Sequence, residues 1–384
     1  MSDAAQRPVG HVLVAADKFK GSLTAVEVAA HVTAGLREVA PQVAVTSLPV
    51  ADGGDGTVDA AVAAGFERRT ARVAGPLGAP VDAAYALRGG TAVVEMAEAS
   101  GLRHLPPGVF AALTATTYGT GELLRAALDA GARTIVLGVG GSATTDGGAG
   151  MLAALGARLL DAEGVPVAPG GAALASLATA DLSGLDPRLA DTEIVLASDV
   201  DNPLRGPKGA AAVYGPQKGA CEQDVALLDG ALGQYAAVLG ATLGGAALAA
   251  ADAPGAGAAG GIGYGALVGL RASFRPGIEV LLDVLGFADA VSRADLVITG
   301  EGSLDAQTLH GKAPVGVAAA ARSRGVPVAA VCGRLALSPE ELASVGITRA
   351  YALAELEPDV QRCMADAARL LRLAAASLAR DFLG

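Results

Sequence analysis

Residues 11–57 read HVLVAADKFKGSLTAVEVAAHVTAGLREVAPQVAVTSLPVADGGDGT. The apolar run 11–16 predicts a strand that ends abruptly in the turn DKFKGS. Thr24, with Glu27 three residues on, forms a capping box in which hydroxyl and carboxylate each satisfy a backbone donor, so a helix starts there. Val26, Ala30 and Leu36 are expected to give it a buried face. A second strand over 43–50 runs into DGGDG and a further helix. This is a βαβ unit whose Gly/Asp loops follow strands. In parallel sheets such loops gather at one edge, where open α/β folds bind ligands.

Beyond residue 75 the texture changes. Residues 72–87 and 91–95 read as short extended pieces split by Gly-Pro and Gly-Gly, the pattern of an antiparallel hairpin. Residues 121–130 predict a helix, 134–139 a strand, 148–160 a helix and 193–198 a strand. The Ala/Gly stretch 246–265 predicts a mobile loop leading into a helix, and the small-residue surface over 230–265 is either a mobile flap or a face against which a second copy could pack as a homodimer. After Asp295 the simple rhythm returns, with strands over 295–299 and 326–332, a helix over 314–324 and a long helix from Pro358. The two ends resemble each other more than either resembles the middle. The expected fold class is therefore α/β with two α/β domains: a discontinuous parallel-sheet domain of the flavodoxin or Rossmann kind, built from 1–75 plus 295–384, with a second mixed α/β domain inserted over 76–294.

Composition narrows the function. A net charge of -11 offers no broad basic field for nucleic acid or an anionic membrane, so any anion site must be local. The first twenty residues lack a cationic leader, and the uncharged stretch 230–251 is too diluted by Gly, Ala, Gln234, Tyr235 and Thr242 to favour lipid. Cys221, Cys332 and Cys363 are scattered without metal or redox spacing, and the four histidines are equally dispersed. The expectation is a reduced, cytoplasmic protein without zinc.

Five lysines stand against twenty-three arginines, and all five lie in Gly-containing turns: Lys18, Lys20, Lys208, Lys218 and Lys312. Lysine presents a compact point charge where arginine presents a planar fork, so a phosphoryl group held against glycine backbone favours the former. DLVITGEGSLDAQTLHGKAP, residues 295–314, ends a strand in Gly300, Glu301 and Gly302, followed by Asp305, Gln307, Thr308 and Lys312. It is not a Walker A loop, since eight residues separate Gly302 from Gly311 and Ala313 stands where Ser or Thr is required. GVGGSATTDGGAG, residues 138–150, lacks the dinucleotide fingerprint but sets Ser142, Thr144, Thr145 and Asp146 among glycines, as an anion nest or an ordinary helix cap would. Asp17 and Ser22 flank Lys18 and Lys20, Asp52 and Asp55 frame two glycines as a hard-cation site would, and SDVDNPL brings Asp199, Asp201 and Asn202 to a strand end. Carboxylates, lysines and glycine amides without a dominant His or Cys nucleophile form the set that phosphoryl transfer requires.

DKFKGSLTA, PVADGGDGT, TTYGTGELL, GVGGSATTDGGAGML, SDVDNPL, YGPQKGA and TGEGSLDAQTLHGKAP occur in this order, and together they resemble the bacterial type I glycerate kinases. The likeness runs from Asp17 to about Gly333, with no motif missing. It implies ATP-dependent phosphorylation of D-glycerate, usually at the 2-hydroxyl, with Mg²⁺, in a cleft between a discontinuous and an inserted domain. On that reading Asp199 is the expected base, with Asp305 second. Lys18, Lys20 and Lys312 are the expected phosphoryl-neutralising charges, and Asp52 or Asp55 the magnesium ligand. Amides near residues 142–146 and 300–302 are candidates for the glycerate carboxylate or the ATP phosphates. Lys208 and Lys218 read as gating or peripheral phosphate contacts. A kinase for another small hydroxy acid, phosphorylation at the 3-hydroxyl, and a non-catalytic sensor of the same fold stay open.

Overall fold

A computed structural model describes residues 10–384; the first turns of the sequence reading, residues 1–9, lie outside the described residues. Among the described residues the strands are β1 (His11–Val14), β2 (Ala44–Ser47), β3 (Glu67–Ala74), β4 (Pro80–Arg88), β5 (Thr91–Glu95), β6 (Thr134–Gly138), β7 (Arg158–Leu160), β8 (Thr179–Asp181), β9 (Glu193–Ala197), β10 (Ser273–Arg275), β11 (Leu296–Leu304), β12 (Val328–Leu335) and β13 (Arg349–Ala352). The described residues fall into two compact units, one of residues 10–52, 59–64 and 278–384, the other of residues 53–58 and 65–277. The sequence marks its change of texture near residues 75 and 295. The contacts divide the chain earlier, because β3 pairs with β4 along its whole length and so draws residues 67–74 into the second unit.

The first unit holds a fully parallel sheet in the order β13-β12-β11-β1-β2. Strands from both ends of the chain meet at its centre, where Val12, Val14, Leu296, Ile298, Ala329 and Val331 are almost wholly buried. Helix Ala25–Val39 begins at the expected capping box, with the Thr24 amide donating to Glu27 Oε2 at 2.8 Å and the Glu27 amide donating to Thr24 Oγ1 at 3.2 Å. Its buried face is Val28, Ala29, Val32 and Leu36, and Val26 and Ala30 point outward instead. A residue two positions away lies about 200° round the helix, so one wrong starting position exchanges the two faces. At Gly35 an added Cβ would stand 2.2 Å from the carbonyl oxygen of Arg372; glycine lets helix Ala367–Phe382 pack backbone to backbone there.

The second unit holds a mixed sheet in the order β10-β9-β6-β5-β4-β3. β5, β6, β9 and β10 are mutually parallel, and β3, β4 and β5 form the antiparallel edge read from the hairpin pattern. β7 and β8 pair separately. The helix expected over 148–160 stops at Ala154: Gly156 turns to a φ of +114°, and the chain re-forms as β7. The Ala/Gly stretch 246–265 is not a surface flap. Ala256, Ala258, Ile262 and Tyr264 are fully buried, and the Tyr264 hydroxyl donates to the carbonyl of Ala247 at 3.0 Å. A Cβ on Gly260 would stand 1.9 Å from the carbonyl oxygen of Thr144, so small residues reflect close backbone packing rather than mobility. Helix Glu222–Leu243 is long and apolar enough to cross a membrane by length and composition alone; its Leu228, Leu232, Tyr235 and Leu239 lie in a buried cluster of this unit.

Candidate active site

In the first unit, β1 and β11 run side by side and parallel, and DKFKGS leaves the sheet where β1 ends. Gly300, Glu301 and Gly302 do not end β11 as expected, since it runs on, paired with β12, to Leu304 before the turn at Asp305. The Asp17 amide donates to the Gly300 carbonyl at 2.8 Å, which ties the DKFKGS turn to this strand extension. The turn closes through reciprocal bonds between Phe19 and Leu23, and the Ser22 hydroxyl donates to the Phe19 carbonyl at 3.1 Å. Gly302 permits this approach, since a Cβ there would stand 3.3 Å from the Lys20 amide nitrogen. Lys18 Nζ lies 3.9 Å from Asp17 Oδ1, and the Lys20 side chain is exposed. Burial pushes the Asp17 carboxyl up to about 7; Lys18 opposes the rise, and the negative charges of Asp52 and Glu301 add to it.

Glu301 lies on the extension of β11, opposite Cys332 of β12. It accepts from the Thr308 hydroxyl at 2.6 Å and pairs with Lys312 Nζ at 3.8 Å. Burial raises its carboxyl above the ordinary range, Thr308 and Lys312 pull it back, and Asp305 and Asp52 raise it further. Asp305 itself accepts from the Gln307 amide at 2.9 Å and the Ser303 hydroxyl at 3.2 Å, so its carboxylate shapes its own turn. Lys312 stands at the start of helix Ala313–Arg322. Asp17, Lys18, Asp52, Glu301, Thr308 and Lys312 thus form one electrostatic neighbourhood.

In the second unit, residues 53–54 of DGGDG lie over the C-terminal ends of β6 and β9. A Cβ on Gly53 would stand 2.6 Å from the Ala197 carbonyl oxygen, and one on Gly138 would stand 2.6 Å from the Gly53 carbonyl oxygen. Asp55 approaches Gly141, where an added Cβ would meet its Oδ1 at 2.5 Å. Glu95, which no sequence motif singled out, ends β5 and takes the Gly56 amide at 3.1 Å and the Val58 amide at 3.4 Å. Burial pushes it up to about 7, against Arg103, with Glu98 and Asp55 adding to the rise. Asp52 acts on Asp17 and Glu301, whereas Asp55 acts on Glu95 and Arg103, so the two carboxylates have different neighbours. Among the described residues no group of three or more His, Cys, Asp or Glu side chains is arranged to hold a metal ion.

Asp199 follows β9, and its Oδ1 accepts from the Gly277 amide at 2.7 Å, which fixes the carboxylate's orientation beyond the strand end. Asn202 braces the next loop, accepting from the Tyr214 hydroxyl at 2.6 Å and donating to the Lys208 carbonyl at 2.8 Å. The Asp146 carboxylate is taken up by the protein's own donors: the Thr117 amide at 2.8 Å and hydroxyl at 3.0 Å, and the Gly148 amide at 3.1 Å. It holds the loop 138–150 in shape. Burial nevertheless raises its carboxyl, because the desolvation of the charge outweighs those bonds.

Lys208 is exposed, but Lys218 is 1% exposed and far from peripheral. Its ammonium donates to Ser142 Oγ at 2.8 Å and to the Thr144 carbonyl at 2.5 Å. The motif YGPQKGA signalled a special lysine without signalling its burial, which depends on a loop some seventy residues earlier in the chain.

The model of the glycerate kinase family matches residues 12–383. A glycerate kinase of Bacillus subtilis is 48% identical over 345 residues, 89% of this chain and 90% of its own, and a glycerate 2-kinase of Escherichia coli is 47% identical over 84% of this chain and 85% of its own. A crystal structure from Salmonella typhimurium LT2, assigned as glycerate kinase 2, superposes with a TM-score of 0.84 at 43% identity and covers 97% of this chain and 98% of its own.

Proposed function

Because the chain belongs to the glycerate kinase family, and is an enzyme that phosphorylates an alcohol group of glycerate with ATP as co-substrate, we propose that it acts on D-glycerate at the 2-hydroxyl. The name of the Escherichia coli relative supports the choice of the 2-position. The observation that carries the reading is the pairing of Asp17 with Lys18, just past β1, and of Glu301 with Lys312, on the extension of the adjacent parallel β11. A lysine beside a carboxylate can exchange that partner for a phosphoryl oxygen.

The roles follow from chemistry. Asp199, oriented by the Gly277 amide, accepts the proton of the attacking hydroxyl; Asp305, engaged in its own turn, suits that role less well. Lys18, Lys20 and Lys312 offset the charge carried by the transferring group. Glycine amides at 300–302 and 138–141 supply further donors without side-chain bulk. The mutual negative field of Asp17, Asp52 and Glu301 suits a divalent cation, and Mg²⁺ needs only one or two carboxylates when nucleotide phosphates supply the rest. Asp52 or Asp55 would hold it, and bound magnesium would supply charge neutralisation on those phosphates.

Phosphorus NMR of the product from D-glycerate and ATP tests the reading. A 2-phosphoglycerate resonance is expected; 3-phosphoglycerate would reverse the regiochemistry, and a faster reaction with another small hydroxy acid would replace the substrate.

A further inference from the structure

Lys218 is a fully buried cation whose only hydrogen-bond partners are uncharged oxygens. Among the described residues no carboxylate lies within ion-pair distance of its ammonium; Asp146 acts on it from farther away. Desolvation of a lone charge is costly, so a buried ammonium with no counterion marks either strain or a site completed by an anion. The oxygen beside it supports the second. Ser142 Oγ accepts from the ammonium, which leaves its single O–H proton to be donated elsewhere, and the described residues provide no acceptor for it. The hydroxyls of Thr144 and Thr145, in the same loop and wholly buried, also lack a protein partner. Buried hydroxyls are ordinarily satisfied, so three such groups within four residues form a donor set awaiting an acceptor.

We propose that Lys218 is a positioning residue that acts through Ser142: by donating to Ser142 Oγ it turns that hydroxyl outward as a charge-strengthened donor to an oxyanion of the substrates. The oxyanion is the carboxylate of the hydroxy acid or a phosphate oxygen of the nucleotide, and the two sources share one chemistry. This rests on the reading that loop 138–150 meets substrate in the kinase reaction. Burial holds the Lys218 ammonium near a pKa of about 7, so the donor polarity fades as the pH rises through that value: a neutral amine can accept from Ser142 instead. The titratable group that acts on Lys218 is Asp146, on loop 138–150 with Ser142, and Asp55 faces that loop at Gly141.

The test is a kinetic cycle of Lys218→Met, Ser142→Ala and the double variant, with Ser142→Thr as the hydroxyl-preserving control. Wild-type turnover of D-glycerate is the reference; without it the kinase reading fails and the cycle is moot. Each single variant is expected to lose roughly 10- to 100-fold in kcat/KM, the size of a charge-assisted hydrogen bond. The double variant is expected to lose no more than either single, and Ser142→Thr to recover most of the activity. A rise in KM for the acid alone identifies the carboxylate as the anion, and a rise in KM for ATP alone identifies the phosphate. Losses that multiply in the double variant, or folded single variants within twofold of wild type, overturn the proposal. Should Lys218→Met fail to fold, the wild-type protein still decides: with only five lysines, its ¹⁵Nζ-lysine NMR spectrum resolves Lys218. That signal is expected to move when D-glycerate or ATP is added, and a signal indifferent to both overturns the proposal.

Discussion

The lysines of the two units are set to opposite electrostatic tasks. In the first unit Lys18 and Lys312 sit at strand ends, partly exposed, each nearly 4 Å from a carboxylate that burial has made reluctant to ionise. In the second unit Lys218 is sealed among neutral oxygens, and burial has unsettled the lysine itself. A charge at a wet loop end can move to a new partner; a charge in the interior can only act through the dipoles packed against it.

The largest effect expected falls between these two sets, at Asp199. Replacing it with Asn should lower kcat by about 10²- to 10⁴-fold, the usual contribution of a general base, with the KM for ATP little changed. A coupled ADP assay reads both, and the reverse pattern would reassign Asp199 to metal or nucleotide binding. Next come Lys312→Ala and Lys20→Ala, each expected to reduce turnover on the order of 10²-fold if these charges neutralise the transferring group. Wild-type turnover in either variant would remove the first unit's lysines from the chemistry and leave the contrast one of burial alone.

Stability against pH separates the two environments more gently. Asp17 has a native pKa near 7 above an ordinary value near 4, so the native state binds the extra proton between those limits and stability falls as pH rises through them. The slope is at most about 1.4 kcal/mol per pH unit for one group. Glu95 adds a slope of the same sign, so Asp17→Asn should flatten the urea-unfolding trend between pH 4 and 7 without abolishing it. Lys218 works the other way, with a native pKa near 7 below its ordinary 10.5. The unfolded chain holds the extra proton in that window, and stability should rise from pH 7 toward 10. The smallest effect is one of local stability: Thr24→Ala removes the cap of the helix that follows the DKFKGS turn and should cost about 1 kcal/mol of stability by urea unfolding.

Much of the candidate site was legible because it is local. DKFKGS and DGGDG announce themselves as glycine-containing loops after apolar strands, and the capping box at Thr24 fixes where the first helix begins, whereas TGEGSL, read as a loop, continues β11 because β12 pairs with it. What was misread depends on contacts between distant segments. The outward placing of Val26 and Ala30 was decided by the side on which helix Ala367–Phe382 packs, and the Ala/Gly stretch 246–265 looked mobile because composition does not reveal that Thr144 and Gly148 lie against it. Glu95 carried no motif at all: a single Glu closing a strand acquires its raised pKa from burial, with the charges of Glu98 and Asp55 adding to it, while the amides of Gly56 and Val58 folded onto it hold it in place.

The amino-acid sequence alone determined the family, the α/β alternation, the parallel strand-end loops and the residue types available for phosphoryl transfer, because each is written in short-range pattern. Tertiary structure alone decided which charges are buried. That choice sets Lys18 and Lys312, partly exposed, beside carboxylates and Lys218, in the interior, beside a hydroxyl and a carbonyl, because the cost of ionisation depends on solvent and neighbours rather than on the side chain itself.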